Sequence, residues 1–336
     1  MDHQGHYQGV RGSSAGNEAG SRHGVCMVGN VNIDLLMKSL PELPAWGTEA
    51  LVESYEERLG GCAGNSALVL AALGEETHIV AAVGEDRLGR KLTAELQQAG
   101  VRLDGLKRSS QATGVSLSLN RPDGERLFVT YPGSMLDTSC EEVMNYLRRA
   151  PYCKALLLTG YFLLSPDIHA KEIFRAASEL GMVTLFDTGW PTQDWSPEIR
   201  EEIWGLLPLV DYFLPNELEA AALTGKSHYS EAAGMLAAQC RRGVVIKRGR
   251  EGSCFLGRDG KEINTTGYEV RVKDTVGAGD SFNAGFIYGL LQDWPAARCI
   301  ELGNAVAASV ISGDAGFHVL WNQVHQLLED STRFKG

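Results

Sequence analysis

From residue 25 onward, short apolar runs alternate with stretches whose apolar residues recur every three or four positions. The runs at 25–28, 77–83, 155–158, 183–186, 212–214 and 243–247 predict β-strands. Helical periodicity predicts helices at 65–73, 89–99, 139–150, 167–180, 217–223 and 231–240. This alternation is the signature of a parallel sheet wrapped by helices. Two stretches, at about 47–59 and 113–132, break the rhythm with β-like alternation and no helix, and the second carries a hairpin signal at Pro122-Asp123-Gly124. They predict a small separate sheet serving as a lid, the alternative being extra edge strands of the main sheet. The expected fold class is α/β: a three-layer α/β/α domain with a mostly parallel central sheet, plus a small β-sheet lid. Ligands of such open sheets bind beyond the carboxyl ends of the strands.

Composition narrows the function. With 336 residues, 44% of them apolar and 22% charged, the chain is long enough for one large domain, expected over 23–336. Residues 1–22, rich in Gly, Ser, Gln and His, lack the apolar core of a secretory signal and read as a disordered leader. No apolar run reaches the roughly 18 residues of a membrane span, so a membrane role is not expected. A net charge of -11 argues against a nucleic-acid partner and for a small diffusible substrate. The seven cysteines are scattered without a Cys-x-x-Cys pair, as expected of free thiols in a reducing cytoplasm. No histidine falls in a zinc-binding pattern, whereas magnesium needs few protein ligands and stays open.

The chemistry gathers at several glycine-rich segments. Gly277-Ala278-Gly279-Asp280 opens a long apolar helix after a β-like run at 267–272. Free amides at a helix N-terminus, approached closely because glycine has no side chain, bind phosphate. A carboxylate there is repelled by that phosphate, which points to Asp280 as a proton acceptor for an attacking hydroxyl; plain helix capping is the alternative. Asn32 and Asp34, two apart in extended chain, face one side and suit two hydroxyls of a polyol; an Asx turn is the alternative. Gly60 and Gly61 let backbone approach a ligand ahead of the apolar helix, and Asn65 contacts that ligand while capping the helix. Residues 84–91 space two glycines like a Walker A loop, but Arg90 stands where lysine is required and no Ser or Thr follows, so Asp86 is read as a helix cap. Asn216 and Glu219 begin a helix after a strand, either presenting oxygens to a hydrated cation or pairing as a capping box. Lys247, Gly249 and Gly252 offer charge and flexible backbone at another strand end, suited to nucleotide phosphates or to a basic turn.

In this order the segments resemble the ribokinase-like, or PfkB, family of carbohydrate kinases, over roughly residues 25–316. Both family signatures occur, Gly60-Gly61-Cys62-Ala63-Gly64-Asn65 early and Asp274-Thr275-Val276-Gly277-Ala278-Gly279-Asp280 late. The resemblance implies a ribokinase-like fold and transfer of the γ-phosphoryl group of ATP to a primary hydroxyl of a sugar. It makes Asp280 the base and Gly277, Ala278 and Gly279 the anion hole. Asn32, Asp34, Gly60, Gly61 and Asn65 match sugar-binding positions; Lys247, Gly249, Gly252 and Asn304 match ATP-binding ones. Asn216 and Glu219 match a Mg2+ motif acting through water, and Asp274 matches a site where relatives often hold a monovalent cation such as K+. Such kinases often form homodimers through the lid. A nucleoside kinase with Tyr161, Phe162 and Tyr131 as an aromatic wall, and a non-catalytic sugar-binding protein, are the rival expectations.

Overall fold

The computed structural model describes residues 23–333 except 39, 41, 122–125, 151, 314–316, 318 and 320. The expected leader at 1–22 and the hairpin signal at 122–124 lie outside the described residues. In chain order the strands are β1 (Val25–Val28), β2 (Asn32–Lys38), β3 (Ser54–Gly60), β4 (Thr77–Gly84), β5 (Arg102–Ser109), β6 (Val115–Asn120), β7 (Arg126–Tyr131), β8 (Ala155–Thr159), β9 (Val183–Asp187), β10 (Tyr212–Phe213), β11 (Gly243–Lys247), β12 (Ser253–Gly257) and β13 (Glu262–Thr265). The helices are α1 (Cys62–Ala72), α2 (Arg87–Gln98), α3 (Cys140–Arg149), α4 (Ala170–Glu179), α5 (Pro197–Leu206), α6 (Glu217–Thr224), α7 (Tyr229–Ala237), α8 (Ala278–Leu291), α9 (Ala296–Ser312) and α10 (Trp321–Arg333).

Nine strands form one sheet in the order β13-β12-β11-β10-β9-β8-β1-β4-β5, parallel throughout except for β12 and β13 at one edge. Side chains alternate across a strand, so β1 feeds two cores. Val25 and Met27 join Leu157, Phe286 and α1 on one face, while Cys26 and Val28 join Leu158, Phe174 and Phe213 on the other. These are the expected three layers. Helices α8 and α9 meet through glycine, since a Cβ on Gly285 would lie 2.9 Å from Gly303 Cα. That close approach seats α8 deep enough for its N-terminus to reach the middle of the sheet edge.

Between β4 and β8 lies β1, with Val25 opposite both Thr77 and Ala155. The chain departs to both sides from this point, and the crevice at the carboxyl end of β1 is where such a sheet receives ligands. From there residues 29–31 lead directly into β2, the centre of the second sheet, ordered β3-β2-β6-β7. The separate lid sheet is therefore present, with three differences from expectation. Residues 47–53 form no strand, and β2 joins the lid instead of ending a main-sheet strand. Residues 267–272 are irregular. There the backbone is drawn against the turn after β11, where a Cβ on Gly252 would overlap Thr265 O and one on Gly267 would overlap Arg250 O. This contact takes the chain off the ladder. Asp86 caps α2 as expected, accepting from Gly89 N at 2.8 Å.

Candidate active site

The loop before α8 ends at Gly277, the N-cap, whose φ of +77° favours glycine. A side chain there would also overlap the Phe317 ring. Helix α8 starts at Ala278, so Gly277, Ala278, Gly279 and Asp280 make its first turn, at the positive end of the dipole; Ala278 N donates to Thr275 O at 3.3 Å. Asp280 accepts from Asn65 Nδ2 at 2.8 Å, and its backbone oxygen accepts from Ser66 Oγ at 3.1 Å, joining the starts of α1 and α8. Part of Asp280 remains accessible, yet the cleft walls desolvate its carboxyl and push its pKa up to about 7. The Asn65 bond and Lys247 oppose this shift, while Asp187 and Asp34 add to it. Helix α1 begins at Cys62 with Gly61 as its cap at φ +88°, so Asn65 does not cap the helix but sits inside it, facing Asp280.

Beneath the cradle lies a group that motif spacing did not point to. Lys247 Nζ, at the end of β11, donates to Asp187 Oδ2 at 2.7 Å and to Asn283 Oδ1 at 3.3 Å; Asn283 Nδ2 also donates to Asp187. A Cβ on Gly279 would lie 3.6 Å from Lys247 Nζ, so the ammonium stands directly behind the cradle. Burial lowers the Lys247 pKa, but Asp187, Glu219 and Asp280 outweigh it and the net shift is upward. Glu219 is pushed up to about 7 by burial and then by Asp187. Asn216 and Glu219 form the capping box: Glu219 N donates to Asn216 Oδ1, and Asn216 N to Glu219 Oε2, both at 2.8 Å. The only side-chain oxygen of Asn216 is thus engaged, which leaves Glu219 as the better-placed cation-facing member of the pair. Three carboxylates around one lysine form a hard-oxygen, net-negative environment that fits Mg2+.

The lid end holds the expected polyol residues. Asn32 Nδ2 donates to Asp34 Oδ1 at 2.8 Å, and Asn30 Nδ2 to Asn32 Oδ1 at 3.1 Å. A Cβ on Gly60 would overlap the Asp34 carboxyl, and one on Gly61 would overlap Asn30 O, which is why both positions are glycine. Burial pushes Asp34 up to about 6, partly countered by Arg58 and by the Asn32 bond. Asn32, Asp34 and Asn65 are all at most 5% exposed. Asp274 Oδ1 accepts from Val276 N at 2.9 Å, and its Oδ2 lies 2.9 Å from Arg58 Nη2. A monovalent cation therefore does not fit that carboxylate as it stands, because a guanidinium already faces it.

A cleft of about 1300 Å³ runs from Phe128 and Cys62 past Asp280, Glu219 and Lys247 to Gly249, Gly252, Asn304 and Ile311. Asn304 donates to Thr265 Oγ1 at 2.8 Å and Ser253 Oγ at 3.1 Å, fixing its amide at the far end. Of the aromatic candidates, Tyr161 bonds to Glu202 and packs edge-on against Phe186 and Phe162, away from the cleft. Tyr131 pairs with Val115, on the lid face opposite to Asp34. The residues overlooked in the sequence are Asp187, Asn283, Arg58 and Asn30. Asp187 carried a signal, since it directly follows the apolar run at 183–186 and so stands at a strand's carboxyl end.

Residues 22–316 match the model of the pfkB family carbohydrate kinases. The chain is 31% identical over 285 residues to the ATP-dependent ribose-1-phosphate kinase of Halopiger xanaduensis, covering 84% of this chain and 90% of that protein. It is 28% identical over 282 residues to the 5-dehydro-2-deoxygluconokinase of Geobacillus kaustophilus, covering 77% and 80%. In fold it resembles a putative ribokinase II of E. coli solved with ATP and Mg2+, at a TM-score of 0.79 and 20% identity over 92% of this chain and 99% of that one. A cradle with a carboxylate at its centre, a lid that carries a polar cluster and a family match over residues 22–316 agree: the chain belongs to the pfkB family of carbohydrate kinases and is an ATP-dependent sugar kinase.

Proposed function

We propose that the enzyme transfers the γ-phosphoryl group of ATP in line to a primary hydroxyl of a small sugar, with Asp280 as general base. The observation that carries this reading is the Asp280 carboxyl at the first turn of α8, held by Asn65 and titrating near 7. A base of that pKa is half ionised at neutral pH and strong enough to take a hydroxyl proton. Asn65 Oδ1 is shielded and has no hydrogen-bond partner among the described residues, so it is an acceptor available to the sugar. As the sugar oxygen bonds to the γ-phosphorus, its proton passes to Asp280 and the bond to the β–γ bridging oxygen breaks, releasing ADP. The amides of Gly277 and Gly279, that of Ala278 once it leaves Thr275 O, and the Lys247 ammonium offset the charge of the migrating group. Glu219, with Asp187 nearby, is suited to hold hydrated Mg2+, which when bound supplies charge neutralisation at the phosphates. Gly249, Gly252 and Asn304 line the nucleotide end. Closing the lid, which carries Asn32 and Asp34, over the cradle excludes water that would otherwise hydrolyse ATP.

The acceptor class follows from the polar cluster at the lid, where an amide and a carboxylate match vicinal hydroxyls. Tyr161 and Tyr131 lie outside the cleft, so neither supplies the aromatic wall for a nucleoside base; the aromatic residues that line it are Phe128, Tyr268 and Phe282. The outer lid face, with Tyr55, Leu127, Val129 and Tyr131 exposed by 42% or more, is suited to pair with a second copy. The test is ADP release with Mg-ATP across free sugars, sugar phosphates, sugar acids and nucleosides, beside Asp280→Asn. Turnover of one sugar class, lowered in the variant by about two to four orders of magnitude, is expected. Turnover of nucleosides alone, or a variant as active as the parent, would remove the sugar or the base assignment respectively.

A further inference from the structure

Arg58 stands where lid and cradle meet. It lies in β3 directly across the ladder from Asp34, on the sheet face turned toward the cleft. Its Nη2 reaches within 2.9 Å of Asp274 Oδ2, three residues before the cap Gly277. The guanidinium carbon is also 5.5 Å from the centroid of Phe317, the ring that occupies the space beside Gly277. The two charged side chains are only 16% and 23% exposed, so solvent and salt screen the pair far less than a surface ion pair. Arg58 Nε and Nη2 and Asp274 Oδ2 are shielded and make no aligned hydrogen bond among the described residues, so charge rather than a bidentate fork holds them together.

We propose that Arg58 is a positioning residue that serves as a built-in cation at Asp274, doing there what a bound monovalent ion would do, and so ties the lid to the anion cradle. Asp274 shapes the approach to Gly277: its Oδ1 accepts from Val276 N, and its backbone N donates to Ile311 O at 3.3 Å. An unneutralised carboxylate here would repel both the incoming phosphates and Asp34, whose pKa burial raises and the Asp274 charge raises further. Arg58 lies between the two. Its charge is permanent and covalently delivered with the lid, and a soluble cation entering at Asp274 would meet a like charge. The inference rests on the kinase reading for its kinetic consequence, but the exclusion of an ion does not.

The parent, Arg58→Lys and Arg58→Ala are compared in KCl, NaCl and tetramethylammonium chloride at equal ionic strength. Parent kcat should vary less than about twofold among the salts. Arg58→Ala should lose about 10- to 100-fold in kcat in tetramethylammonium, the scale for a misplaced catalytic geometry, and regain part of it in KCl. Arg58→Lys should keep most of the activity and an ATP affinity, measured by calorimetry, within about threefold of the parent's, whereas Arg58→Ala should bind ATP more weakly in tetramethylammonium and recover part of that affinity in KCl. A second readout needs no turnover: KCl should raise the Tm of Arg58→Ala above its value in tetramethylammonium and leave the parent Tm unmoved. Strong activation of the parent by K+, a parent Tm raised by KCl, or an Arg58→Ala kcat equal to the parent's in every salt would overturn the proposal. A parent silent toward every acceptor would instead count against the kinase reading, and the Tm comparison would still decide the ion.

Discussion

On the proposed mechanism, removing the Asn65 side chain separates Asp280, the base, from its tuning partner without altering Asp280 itself. Asn65 Nδ2 donates to Asp280 Oδ2 at 2.8 Å and is among the influences that hold the Asp280 pKa down against burial. A hydrogen bond to a charged group contributes about 1.5–3 kcal/mol, which at 1.36 kcal/mol per unit corresponds to about 1–2 pKa units. Asp280 starts near 7, so Asn65→Ala moves it to about 8–9. The ionised fraction at pH 7 then drops from about one half to between about 0.1 and 0.01. That lowers kcat/KM by about 5- to 50-fold from ionisation alone. The assay is kcat/KM for the sugar by coupled ADP release between pH 5.5 and 9.5. The acid limb of the profile should shift upward by about 1–2 units, and much of the loss should be recovered at the alkaline end. A lower plateau would report the lost contact with substrate, which is independent of the position of the limb. A limb that stays in place, or moves to lower pH, would refute the pairing of Asn65 with the base.

The same carboxyl makes the fold pH-sensitive. Its pKa in the folded state lies above the ordinary carboxylate value of about 3.9, so its burial is harmless below about pH 4, grows costly as pH rises from 4 to 7, and is most costly above 7. Asp280→Asn should therefore stabilise the protein by about 1–3 kcal/mol at pH 8 and by little at pH 4.5, read from urea midpoints; an equal effect at both pH values would count against a buried charge. On the lid, Val129→Asp should convert a dimer into a monomer at micromolar concentration by light scattering, and a monomeric parent would end the dimer reading.

Much of the main sheet was legible because its strands are buried on both faces and appear as unbroken apolar runs. Strand β2 was not, since Asn32 and Asp34 turn one face toward a polar cluster and interrupt the run. The reverse error occurred at 267–272. Tyr268, Val270 and Val272 alternate with other residues because they line the cleft, and no neighbouring strand pairs with them. Alternation reports one wetter and one drier side, whichever neighbour supplies it. Asn65 was misread as a cap, because the cap at Gly61 depends on a positive φ that no polar pattern announces.

The site divides in the same way. Residues whose role depends on local spacing, such as Gly277 to Asp280 and the Asn216–Glu219 pair, stand out in the sequence, although spacing could not separate capping from cation binding. Residues whose role depends on charge balance do not, because their partners are remote in the chain: Asp187 meets Lys247 across 60 residues and Asn283 across 96. That balance is central to how the cradle works. Without its ligands, the cleft confines Asp187, Glu219 and Asp280 around one lysine, and mutual repulsion with burial raises the pKa of the last two carboxyls to about 7. A divalent cation held by Glu219 would offset part of that repulsion, while the phosphates it accompanies would add to it. On the proposed mechanism, with the cation outweighing the phosphates at Asp280, the acid limb of kcat, in the loaded enzyme, should lie below that of kcat/KM for ATP, in the free enzyme; a limb that lies higher would show that the phosphates dominate.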